Sequence, residues 1–112
     1  MTGMRDQSER TQRLEEQQDQ NWIDFHKSDV ELSLTMAEIA RAEMGYGNSE
    51  HASEAWERAE RGYSTVAKFL DDPKHADHID DAARQQLDTQ LQRLRGRLDE
   101  IAQNPELKRR VE

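Results

Sequence analysis

Apolar residues recur along this chain at helical intervals in three separate stretches, and the middle one is the most regular. Ala52, Ala55, Trp56, Ala59, Tyr63, Val66 and Leu70 follow one another in steps that keep them on one face of an α-helix. Ahead of it, Trp22, Phe25, Leu32, Met36, Ile39 and Glu43 trace one face, and Ile23, Val30, Leu34 and Met44 broaden the stripe. A stripe that wide suits a core helix flanked by two others. The third stretch carries Ile79, Ala83, Leu87, Gln90, Leu91, Leu94, Leu98 and Ile101. No alternating pattern of period two competes with these, so the class expected is all-α.

Punctuation between the stretches agrees. Gly45-Tyr46-Gly47-Asn48 ends the first helix, since glycine takes the left-handed conformation at a helix terminus without steric cost. Asn48 or Ser49 caps the second, with Glu50 favourably placed in its first turn. Asp71-Asp72-Pro73 stops it, because proline cannot continue a helix. The third helix is expected to start between Asp77 and Asp80 and to close at Asn104-Pro105. Each packed segment spans roughly 33 to 39 Å at 1.5 Å per residue. Matched lengths with short turns favour an up-down-up antiparallel three-helix bundle over residues 21–104. Residues 1–20 form a polar N-terminal extension that frays or prolongs the first helix into solvent, and residues 105–112 a frayed tail. Gly62 and Gly96 sit inside helices at a cost of up to ~1 kcal/mol each against alanine, which a close helix crossing would explain.

The spacing Ala52-x-x-Ala55-Trp56-x-x-Ala59-x-x-x-Tyr63 resembles helices of tetratricopeptide-type repeats and of the three-helix microtubule-interacting-and-trafficking module. The likeness spans roughly residues 36–102 and implies a helix-packing style. No second copy of the pattern occurs, and no binding residues are carried over.

Composition changes the picture in one respect. At 33% hydrophobic and 36% charged residues, a chain of 112 residues has a thin core, and dimerisation would add to its stability. The net charge of -8 is uneven: residues 1–56 hold 12 acidic against 5 basic side chains, and residues 57–112 hold 12 against 11. Such a chain repels phosphate backbones, so no nucleic-acid partner is expected. Arg93, Arg95, Arg97, Lys108, Arg109 and Arg110 make the far end basic, as suits cations near a helix C-terminus. Met1 to Gln20 lacks the apolar centre of a secretion signal, and no stretch nears the roughly 20 apolar residues of a membrane span. A cytoplasmic location without membrane contact is the expectation.

Candidate chemistry is sparse. Without cysteine there is no thiolate nucleophile or thiolate metal site. Asp72, His75, Asp77 and His78 concentrate metal-ligand types in one loop, and histidines three apart can face one ion. The same aspartates suit a helix N-terminus, and Lys74 among them opposes a cation. A metal-responsive protein using this loop is therefore the alternative reading. Glu31, Glu38 and Glu43 lack the Glu-x-x-His pairing of di-iron bundles. His26 and His51 suit packing or capping, and neither nucleophile elbow nor glycine-rich phosphate loop occurs. The favoured reading is a non-enzymatic interaction or self-assembly module without cofactor. It meets a protein partner or forms a homodimer, with Trp22 and Phe25 as the contact residues because aromatics are enriched at interface hot spots.

Overall fold

The computed structural model describes the backbone of residues 3–111 and the side chains of 8–75 and 77–111. All regular structure among them is helical: α1 (Gly3–Gly45), α2 (Ser49–Asp71), α3 (Pro73–Ala76), α4 (Asp81–Ala102) and α5 (Pro105–Val111). Helices α1, α2 and α4 pack together, and α5 lies against α2 and α4. The 43 residues of α1 reach about 64 Å at 1.5 Å per residue, nearly twice the length of α2 or α4. Its first turns therefore overshoot the packed part, and the molecule measures 70 × 20 × 19 Å. Side chains 8–18 are all exposed, as the polar extension implies; residues 1–2 lie outside the described residues.

The helix ends follow from local chemistry. Gly47 has φ +78°, while Asn48 N donates to Glu43 O (2.8 Å) and Gly47 N to Met44 O (3.1 Å). That double closure is a Schellman motif, which requires a left-handed residue where Gly47 stands. Asp72 ends α2 in an extended conformation ahead of Pro73, and its side chain accepts from Lys74 N (2.9 Å). Asp80 caps α4 by accepting from Ala83 N (2.7 Å).

Two buried clusters make the core. At one end Ile23 and Val30 of α1 meet Val66, Phe69 and Leu70 of α2 and Leu87 and Leu91 of α4. At the other, alanines dominate: Ala37 and Ala40 meet Ala52, Ala55 and Ala59, with Leu94, Leu98 and Ile101 opposite. Trp56 is half-buried there, and its indole N–H donates to Leu98 O (2.9 Å). Between the clusters Gly62 faces the buried Ser33, and a Cβ on Gly62 would overlap Ser33 Oγ. A close crossing thus accounts for Gly62. It does not account for Gly96, where an added Cβ meets nothing within 4 Å.

Two expectations change. The face Trp22, Phe25, Leu32, Ile39 is exposed, and the core face of α1 is the broadening set, Ile23 and Val30, continued by Ala37 and Ala40. The reason is the approach distance. Opposite Ala52, Ala55, Ala59 and Gly62 of α2 there is room for Ser33, Ala37 and Ala40 and not for Leu32 or Ile39, which are turned outward. Ile23 and Val30 fit in the cluster where α2 carries Val66 and Phe69. Where a frayed tail is expected, Pro105 opens α5: Asn104 Oδ1 accepts from Glu106 N (3.0 Å) and Leu107 is fully buried. Glu112 lies outside the described residues.

Candidate contact surface on α1

Trp22 and Phe25 stand on the outer side of α1, 44% and 55% exposed, and with Gln18 and Asn21 they line a shallow open groove. They are not isolated. Leu14, Leu32, Ile39 and Tyr46 are also large, apolar and exposed. At 100° per residue Leu14, Phe25, Leu32 and Ile39 fall within about 40° of one another around the helix. One apolar row therefore runs along α1 on the side away from the core.

Trp22 edges this row and also contacts the molecule's aromatic cluster. Its ring stacks on Phe69 at 6.4 Å and on His26 at 6.0 Å, and His75 lies 6.1 Å away. His26 stacks on Phe69 at 3.9 Å and is only 4% exposed. Neither of its ring nitrogens has a hydrogen-bond partner, and Asp29 Oδ2 stands 4.0 Å from Nδ1, too far for one. Burial pushes the pKa of His26 below its ordinary 6.5; Asp29 opposes that shift and His75 adds to it.

The consequence for stability has a definite sign. Below pH 6.5 the unfolded chain takes up a proton that the folded chain resists, so stability falls as pH drops from 6.5 toward the lower folded value. Thermal melts between pH 7.5 and 5.5 should show this decline, and His26→Phe should flatten it. A variant with the same slope as wild type would assign the decline to other groups.

The histidines of the loop point in different directions. His75 turns to the rings of Phe69 (4.7 Å) and Trp22, with Asp72 Oδ2 at 3.9 Å. His78 Nδ1 instead faces Asp19 Oδ2 on α1 at 3.3 Å. Asp72 is engaged in capping, and Asp77 follows α3 as an exposed residue. Among the described residues no group of three or more histidine, aspartate or glutamate side chains converges as a metal site. The ligand-like spacing of the two histidines is thus split between two directions.

Two arginines of the basic end are held by carboxylates of the chain. Arg95 Nη1 pairs with Glu60 (2.8 Å) and its Nη2 with Asp99 (2.8 Å), and its guanidinium lies 5.0 Å from the Tyr63 ring centroid. Arg97 Nε reaches Glu38 of α1 at 3.2 Å. An acidic side chain of α1 and an arginine of α4 therefore meet within one chain. No helix among the described residues is long and apolar enough to cross a membrane. No protein-family model, curated protein or solved structure matches the chain, so the likeness to repeat-type helices is one of spacing within α2.

Sequence reasoning singled out Trp22 and Phe25 but assigned Leu32 and Ile39 to the core. Spacing alone does not separate them, because Phe25, Leu32, Ile39 and Tyr46 recur every seven residues. A second row at the same interval, Ile23, Val30, Ala37, Met44, faces the neighbours instead.

Proposed function

We propose that this protein is a non-enzymatic module acting through helix-to-helix contact with a protein partner or a second copy. Its scaffold is an up-down-up antiparallel bundle of α1, α2 and α4. Ile23 shares one buried cluster with Phe69, and Ala40 shares the other with Ala52, which supports that topology. So do Arg84 Nη2 donating to Leu70 O (2.9 Å) and Trp56 donating to Leu98 O.

The observation that carries the functional reading is the apolar row on α1. A core of small side chains is already closed beneath it, yet Phe25, Leu32 and Ile39 remain exposed. Contiguous exposed apolar surface of this kind marks contact sites on soluble proteins. A photo-crosslinking residue at Leu32, introduced in the native host, should give a discrete crosslinked species. The same residue at exposed Gln85 on α4 should give none. Equal yields from both positions, or none from either, would remove the reading.

A further inference from the structure

The row on α1 has a register. Phe25, Leu32, Ile39 and Tyr46 repeat every seven residues, and Asn21, Ser28, Thr35 and Ala42 alternate with them, four residues before the next large side chain and three after the last. All eight positions are exposed. Together they form the a and d positions of a coiled-coil seam, large residues in one column and small ones in the other. Such a seam presents alternating knobs and hollows to a second helix. From Leu14 to Tyr46 it covers about 48 Å, enough for a partner helix of roughly 30 residues.

The charges along the seam decide what that helix is. One edge carries Asp24, Glu31 and Glu38, and the other Glu15, Asp29 and Glu43. Lys27 and Arg41 are the sole cations between Leu14 and Tyr46. Each stands two residues beyond a seam position, about 200° round the helix, and so on the far side.

A second copy fits this face poorly in either orientation. Paired in parallel, Asp24 meets Asp29 of the other copy and Glu38 meets Glu43. Paired antiparallel, Asp24 meets Glu38 and Glu31 meets itself. Like charges across an interface disfavour pairing; Arg97 already offsets Glu38 from α4, whereas Arg95 is held by Glu60 and Asp99 and offsets none of the edge carboxylates. The same carboxylates repel anionic lipid and nucleic acid.

Resting on the contact reading above, we infer that the outer face of α1 from Leu14 to Tyr46 docks a basic amphipathic helix of a partner protein. Its large apolar residues fill the hollows at Asn21, Ser28, Thr35 and Ala42, and its lysines or arginines line both acidic edges. This is the helix-in-groove mode of recognition, with charge setting the choice of partner.

Three synthetic 28-residue helical peptides without tryptophan test it against the full-length protein, with Trp22 fluorescence and calorimetry as readouts. The first has leucine at its a and d positions and lysine on the edges. The second keeps the leucines but carries glutamate edges. The third keeps the lysines but has serine in the seam. The first should bind at micromolar concentration and weaken as sodium chloride rises from 50 to 500 mM. The other two should bind at least about tenfold more weakly. Phe25→Ser with Leu32→Ser should weaken the first by roughly tenfold or more while leaving the thermal melt unchanged, since both side chains are exposed.

Equal binding of the serine-seam peptide would show plain charge attraction and overturn the proposal, as would equal binding of the glutamate-edged peptide or no binding at all. Sedimentation of the protein alone separates the two readings. If no peptide binds but a dimer forms and Leu32→Ser abolishes it, the contact reading stands and the basic partner falls. If no peptide binds and the protein is a monomer, both fall.

Discussion

Gly62→Val is expected to destabilise the fold by about 3 kcal/mol, whereas Gly96→Ala should stabilise it by up to ~1 kcal/mol. Both glycines lie inside helices, and both lose backbone freedom on folding. They differ in what stands beyond the missing Cβ. At Gly62 a Cβ overlaps Ser33 Oγ, with Ser33 Cβ at 3.1 Å and Asp29 O at 3.8 Å. Ser33 is itself buried, so it has little room to turn away. A branched side chain there must push α1 off α2 at the junction of the two core clusters. Gly62→Ala should cost about 1 kcal/mol, overpacking set against a better helix former. Much of that loss should return in the Ser33→Ala background, where the overlapping oxygen is gone. Urea unfolding of the four proteins in that cycle measures the coupling directly. Additive effects would mean that the two residues do not meet.

Leu107→Ala should cost about 2–5 kcal/mol, a large share of the 5–15 kcal/mol that holds a typical domain together. Leu107 is fully buried and joins the cluster of Leu94, Leu98, Ile101 and Ala52, so truncating it opens a cavity where α5 meets α2 and α4. Deleting residues 105–112 should be at least as damaging. Removing residues 1–19 from the other end should cost under ~1 kcal/mol, because side chains 8–18 are all exposed and the ion pair of Asp19 with His78 is open to solvent. Thermal melts of the two truncations give the contrast. If the C-terminal truncation melts within a few degrees of wild type, α5 is not part of the core. A large loss from the N-terminal one would mean that the extension of α1 is packed.

The two ends also show how far the chain can be read without its fold. The exposure of side chains 8–18 was legible, since nothing in residues 1–20 offers a row of apolar side chains to bury. The C-terminal helix was not. Leu107 and Val111 are two apolar residues four apart after a proline, too short a pattern to distinguish a docked turn from a frayed one. Only the groove between α2 and α4 gives Leu107 a place. The contact surface was half legible. Trp22 and Phe25 stood out by chemistry, but Leu32 and Ile39 on the same side read as core because hydrophobicity alone is blind to approach distance. The histidines spaced like ligands were legible as a cluster and illegible as directions.

By itself the sequence determined the three long helices and their stops, because 3.6-residue periodicity, Gly47, Asp72-Pro73 and Asp80 act over a few residues and need no partner. It also determined the faces of α2 and α4, each with one apolar stripe. Tertiary structure decided which of the two stripes on α1 goes inward. Gly62 and the alanines of α2 bring the two backbones close, and close packing excludes large side chains from the space between them. The larger row was left outside for that reason, with its acidic edges, as the surface on which a partner can act.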